Sequence, residues 1–292
     1  MSKNYVVYKS DLKYKKFRNI DESKMEYGDD VTEDLFDKKI DLDTIEYRYQ
    51  ECRESKYYEL DLCHMELKDI PNIPKDIKDN LVHLFLFDNC LTSIDLKDFK
   101  VLKLLDISNN KISELKNLPE SIIELFCPNN ELSFISFKDI PNLERLNCNN
   151  NKIKSFDNHS NLKILHCVDN KISEIPDFNN LTKLYAYNNK ISKLPNLQKL
   201  DILDISKNNI HKINNNNISS LICNDLGNII LQNMNNLSDL EMFNTKIDKL
   251  DFFPKLFELY CDKTGINEIS DKYKINNIRV QKEKFYIINF SL

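Results

Sequence analysis

Apolar residues recur along most of the chain in the spacing set by Leu102, Leu105, Ile107 and Ile112, with Asn110 just before the last of them. The spacing returns around Asn89, Asn110, Asn130, Asn151, Asn170, Asn189 and Asn208, which lie 21, 20, 21, 19, 19 and 19 residues apart. Around Asn170, for example, the apolar partners are Leu162, Leu165, Cys167 and Ile172. Alternation in the middle of each unit predicts a short strand with one face buried. One such unit cannot bury that face alone, so a fixed period of this length predicts units stacked into a parallel sheet. Counting the first leucine of a unit as position one, the asparagine is position nine. There the chain must turn inward, and a carboxamide has both the donor and the acceptor that buried backbone groups need. The seven asparagines are therefore expected to form a structural ladder.

The segments between strands are too short for a full helix, and Pro119, Pro141, Pro176, Pro195 and Pro254 lie in them. Proline disfavours helix at its own position and at the one before. Extended or 3₁₀ returns are expected. A non-helical back needs less fanning than one built of helices about 10 Å wide, so the stack is expected to form a shallow arc.

The motif LxxLxLxxNxL, as it stands in Leu102–Ile112, resembles the leucine-rich repeat family. The short period, with tails such as Ile172-Ser-Glu-Ile-Pro176 and Ile191-Ser-Lys-Leu-Pro195, is most similar to the repeats of secreted bacterial effectors. In its bias to Asn, Lys and Ile the chain is also similar to leucine-rich repeat proteins of giant DNA viruses. The resemblance covers about residues 58–290 and implies an α/β-type solenoid, mostly β: a shallow horseshoe with a parallel sheet on its concave face. Some short-repeat effectors carry a separate cysteine ubiquitin-ligase domain with a Cys-x-Asp motif. Here Cys261-Asp262 lacks the intervening residue and lies within a repeat strand, so no catalytic residue carries over.

The pattern divides the chain into residues 1–57, an N-terminal cap or small module; 58–274, the repeat array; and 275–292, a C-terminal capping repeat or strand. In the first segment, Tyr5-Val-Val-Tyr8 reads as a strand, Thr32 as a helix N-cap, and Ile45–Tyr49, which alternates apolar and polar, as another strand. The first repeat is degenerate, with Met65 in the asparagine position. Later units carry Leu226, Thr245 and Thr264 there, and a last one starts at Ile275. Twelve units result, the end ones atypical, as caps should be. Phe285-Tyr-Ile-Ile-Asn-Phe290 is expected to close the C-terminal core.

Composition narrows the function classes. The 292 residues carry a formal net charge of −5, so there is no overall basic signature for nucleic acid. No apolar run reaches the length of a membrane span, and the N-terminus lacks a secretory apolar region. Five cysteines fall at inward strand positions, as small hydrophobes do, and a reducing, cytoplasmic location is expected, or a host cytosol for an effector or viral protein. Three glycines, with no phosphate-cradling motif among them, argue against a nucleotide site. No CxxC or HxxxH pair accompanies Cys127, Cys148 and Cys167, so neither a metal nor any other cofactor is expected. The reading is of a non-enzyme.

Strand side chains alternate, so positions three, five and seven face outward on the sheet. There the array carries Phe85, Phe87, Phe126, Ile164, Val168, Tyr185 and Tyr187, with Arg145, His166 and Lys183 beside them. A solvated face would be mostly polar. Aromatic rings on an outward face are the usual anchors of protein interfaces. These ten residues are the candidate partner-binding set of a monomeric scaffold, with no nucleic acid or membrane as partner. Asp204, Asp239, Glu241, Glu258 and Asp262 make the C-terminal part of the face acidic, as a basic partner or mere solubility would require. The bland alternative is that strand propensity selected the aromatics, or that the N-terminal segment covers some of them. The rival functional reading places the activity in residues 1–57, with the repeats as a targeting arm; an effector-like ligase component is a third.

Overall fold

The computed structural model describes residues 44–247 and 253–266, together with the backbone of a strand at 277–279. Within them lie helix α1 (Ile45–Glu54), strand β1 (Glu59–Asp61) and the single turn α2 (Lys75–Lys78). The repeat strands follow: β2 (His83–Phe85), β3 (Leu104–Asp106), β4 (Glu124–Phe126), β5 (Arg145–Asn147), β6 (Ile164–His166), β7 (Lys183–Tyr185) and β8 (Ile202–Asp204). Then come β9 (Lys212–Asn214), β10 (Ser220–Ile222), β11 (Ile230–Gln232), β12 (Asp239–Phe243), β13 (Glu258–Asp262) and β14 (Asn277–Arg279). Twelve of these strands pair in parallel in the order β1 to β8, then β10, β12, β13 and β14. The register aligns motif position four with position four, as in Leu105↔Leu125 and Leu165↔Leu184. It is the mostly-β, parallel solenoid that the period predicts.

The core explains the register. Position-four leucines from Leu60 to Leu259 are fully buried, with Ile107, Cys127, Cys148, Cys167 and Ala186 beside them at position six. Slipping one strand by one residue would turn its leucine outward and forfeit about 1.5–3 kcal/mol of burial. The asparagine ladder forms as expected. Asn151 Oδ1 accepts from the Leu132 amide at 2.9 Å, and its Nδ2 donates to the carbonyls of Cys127 (3.0 Å) and Cys148 (3.1 Å). The pattern recurs from Asn89 to Asn208. Thr245 holds a reduced version: its hydroxyl accepts from Leu226 N at 3.1 Å and donates to Cys223 O at 2.7 Å. The buried Thr264 hydroxyl has no partner among the described residues.

Position eight, just before each ladder asparagine, adopts a left-handed backbone in every repeat from Asp88 (φ 58°) to Lys263 (φ 55°). That turn is what aims the asparagine inward. Asn and Asp, which enter this region most readily of the non-glycine residues, fill eight of the ten positions; Lys207 and Lys263 fill the others. The returns are extended, and two of them, β9 and β11, pair as a second, two-stranded sheet.

Ile45–Tyr49 is not a strand. It opens α1, capped by the Thr44 side chain accepting from Tyr47 N at 3.2 Å. The five-residue alternation misleads because Ile45, Tyr49 and Cys52 also lie at helical spacing. Tyr49 and Cys52 point into the core that begins with Leu60. The elements expected at Tyr5–Tyr8, after Thr32 and at Phe285–Phe290 lie outside the described residues.

Candidate protein-binding face

Position five forms a row in register across the sheet: Phe85, Asp106, Phe126, Asn147, His166, Tyr185 and Asp204 on successive strands, then Ile222, Glu241 and Tyr260. Strand geometry holds each residue about 4.8 Å from the next. The row contains two kinds of residue. Asp61, Asp106, Asn147 and Asp204 each accept the position-seven amide of their own turn, at 2.9, 2.9, 3.2 and 3.0 Å. Short side chains of this type favour such local bonds, which end the strand. The other residues make no such bond; apart from Glu241 they are aromatic rings or, at Ile222, an aliphatic side chain.

The expected anchors differ in setting. Phe126, Ile164, His166, Val168, Tyr185 and Tyr187 are half-buried, and β4 to β7 bring them together on one side of the sheet. The His166 and Tyr185 rings stack with centroids 4.4 Å apart and planes 15° from parallel. Lys207 Nζ lies 5.0 Å from the Tyr187 ring centroid. Phe87 meets the edge of the His64 ring at 4.9 Å. Phe85 is only 8% exposed, so it offers little surface to a partner. Arg145 pairs with Glu124 across strands at 3.6 Å, which removes it from the free cations of the face; Lys183 is half-buried at the same position on β7.

Polar residues that sequence reasoning passed over brace this face. Asn149 Oδ1 accepts from Val168 N at 2.7 Å, Asn224 Oδ1 accepts from Phe243 N at 2.6 Å, and Ser206 Oγ accepts from Asn224 N at 2.9 Å. The clue was their position seven, where a short polar side chain reaches the next strand's amide. Toward the C-terminus the electrostatics change. Glu59 and Glu124 face His83 and Arg145, whereas among the described residues Asp204, Asp239, Glu241, Glu258 and Asp262 form no ion pair. Neutral donors hold four of them: Ser206 N to Asp204, Ser238 Oγ to Asp239, Asn224 Nδ2 to Glu241, and Tyr260 OH to Glu258. Burial, with Glu241 nearby, raises the Asp204 carboxyl above its ordinary range.

His166 is the titratable centre of the aromatic half. Burial first, then the positive charges of Arg145 and Lys183, hold it down to about 4. Folded protein therefore keeps this ring neutral where an unfolded chain, with a histidine near 6.5, has taken up a proton. The stabilisation is complete above pH 6.5 and is lost as pH falls from there toward 4. We expect the melting temperature of the wild-type chain to drop more steeply over that window than that of His166→Gln. The difference between the two curves isolates His166 from Asp204, whose raised value acts in the opposite sense. Parallel curves would refute the assignment.

The cysteines at inward strand positions are core residues. Cys127, Cys148, Cys167 and Cys223 are fully buried, burial pushes their thiols well above the ordinary value, and Cys261 is pushed up to about 11. Such thiols stay protonated and inert. Among the described residues no three His, Cys, Asp or Glu side chains converge as metal ligands, and no helix is long and apolar enough to cross a membrane.

No family model and no curated protein matches this sequence. Solved structures match its fold. YopM from Yersinia enterocolitica superposes with a TM-score of 0.55 at 20% identity, over 82% of this chain and 68% of that one. YopM of Yersinia pestis, described as a leucine-rich effector protein, gives 0.58 at 21% identity, over 75% and 69%. A chain of the LRIM1/APL1C complex gives 0.53 at 21% identity, over 68% and 46%. At these identities the likeness is one of fold.

Proposed function

We propose that this chain, a leucine-rich repeat solenoid, is a non-catalytic scaffold that binds another protein through the outward face of its sheet. The observation that carries the reading is the in-register cluster of half-buried side chains on β4 to β7: Phe126, Ile164, His166, Val168, Tyr185 and Tyr187. Rings held by a rigid sheet lose little conformational freedom on binding, which is why such residues dominate interface energies. The extent of the face, several strands at about 4.8 Å each, suits a protein surface; small molecules take closed pockets. Solenoids of this fold are known in protein complexes, LRIM1/APL1C among them. The carboxylates of β8, β12 and β13, which meet no cation among the described residues, add a preference for a partner with basic residues beside its apolar contact, and predict binding that weakens as salt rises. In this reading residues 58–274 are the binding array, and α1, through Tyr49 and Cys52, packs onto the core at its first turn.

The test is a double substitution, Tyr185→Ala with Tyr187→Ala, read against a partner identified by affinity capture from the native source. Affinity should fall at least hundredfold, about 3 kcal/mol, while the melting temperature moves little, because neither ring belongs to the core behind the sheet. Unimpaired capture would move the interface to the return side or to residues 1–57. A large loss of stability would make the tyrosines structural.

A further inference from the structure

We propose a second interaction site on the return side of the solenoid: the open edge of β9, which pairs with an extended segment of a partner protein. Ile230 N–H donates to His211 O at 2.9 Å, and Lys212, Ile213 and Asn214 register with Ile230, Leu231 and Gln232. In a parallel pair, alternate residues turn their N–H and C=O to opposite edges. His211 and Ile213 therefore serve the β11 side, and Lys212 and Asn214 face the other edge. Among the described residues no backbone hydrogen bond outside the β9–β11 pair involves Lys212 or Asn214.

Among the described residues the neighbouring return makes no backbone hydrogen bond to this edge. It carries Pro195, whose fixed φ and missing N–H disfavour a regular strand there, and the return before it carries Pro176. Elsewhere adjacent returns do bond, as in Leu96 N to Asn117 O at 3.3 Å and the bridge between Ile135 and Phe156. Beside β9 only side chains bridge to that return, Asn215 Nδ2 to Leu197 O at 2.9 Å and Asn217 Nδ2 to Gln198 O at 2.6 Å, and a groove of about 1260 Å³ runs along residues 174–177, 192–198 and 212–218.

The groove selects its occupant. An unpaired strand edge is a template for another strand. Its recess between returns keeps the bulk of a second folded copy away and admits a single extended chain. The lining mixes Leu194 and Pro176 with the carboxamides of Asn196 and Asn216, and its charged side chains, Glu174, Asp177, Lys193 and Lys212, cancel. An uncharged segment alternating apolar and polar residues fits this chemistry. The site is independent of the outward sheet face.

The probe is an acetylated, amidated heptapeptide of alternating threonine and valine, added to the full chain while amide exchange is followed by NMR. Saturating peptide should slow exchange of the Lys212 and Asn214 amides at least tenfold and leave the amides of β4 to β7 unchanged. The same peptide N-methylated at alternate residues should have no effect. Asn214→Pro, which removes one edge amide, should weaken binding at least tenfold. If that variant does not fold, Asn196→Trp, which fills the groove from an exposed position, should do the same. Unchanged exchange at Lys212 and Asn214, equal protection by the methylated peptide, or full binding by the groove-filled variant would each overturn the site.

Discussion

Asn151→Ala should destabilise the protein by about 1–3 kcal/mol, although the side chain removed is small and polar. Alanine supplies neither the acceptor for Leu132 N nor the donor for the Cys127 and Cys148 carbonyls. The two carbonyls keep a second donor, Asn130 Nδ2 on Cys127 O and Asn170 Nδ2 on Cys148 O, so the buried Leu132 N–H is the group left unpaired, at about 1–3 kcal/mol, and water has no ready route to a site whose side chain is only 8% exposed. Aspartate would keep the acceptor and set an oxygen against those carbonyls in place of the donor, so Asn151→Asp should be at least as harmful. Thr264 supplies the contrast at the same motif position. Its hydroxyl is fully buried and unpartnered among the described residues, so Thr264→Val removes an unsatisfied group at nearly constant shape and should be neutral or stabilising. Equilibrium denaturation of the three variants decides the matter. Equal, small effects at Asn151 and Thr264 would mean that the ladder is not what fixes the turns.

The ladder, the parallel sheet and the inward cysteines were legible because each depends on a residue type that recurs at one spacing. The left-handed position eight was equally recurrent, as Asp88, Asn109, Asn129, Asn150, Asp169 and Asn188, but two lysines dilute the column and no apolar residue marks it. The candidate face was legible as a set of positions and not as an environment. Alternation places Phe85 and Tyr185 alike at position five, yet one is buried and the other half-buried. Arg145 reads as a free cation until Glu124, 21 residues earlier in the chain, is brought to 3.6 Å by the adjacent strand. α1 was misread because five residues are too few to separate a period of two from one of 3.6. β9 gives little signal of its own: three residues become a strand because β11 lies beside them, a tertiary cause that no local pattern records.

The largest loss of stability should come from behind the sheet. In three consecutive turns the strand contributes a small residue to the core, Cys127, Cys148 and Cys167, and the returns of the same turns contribute Phe137, Phe156 with His159, and Phe178. Their rings form one cluster. Phe137 stacks on Phe156 at 5.9 Å and on His159 at 4.8 Å, and Phe178 meets the first two at 6.1 and 6.2 Å. The buried His159 donates Nε2–H to Leu143 O at 2.7 Å, so one ring satisfies a carbonyl as well as filling space. Because the cluster crosses three repeats, it ties together units that otherwise touch only their neighbours. Phe178 is fully buried, and Phe178→Ala should cost about 3–5 kcal/mol, since the fixed sheet on one side cannot collapse into the cavity. Phe178→Leu, which refills most of the volume, should recover more than half of that. In a nearly one-dimensional array, weakening one interface also lets the blocks on either side open separately. The alanine variant should therefore unfold over a broader denaturant range than the wild type, with a smaller apparent m-value. A cost below about 1 kcal/mol, or an unbroadened transition, would show that the three turns hold together through their strands and asparagines alone.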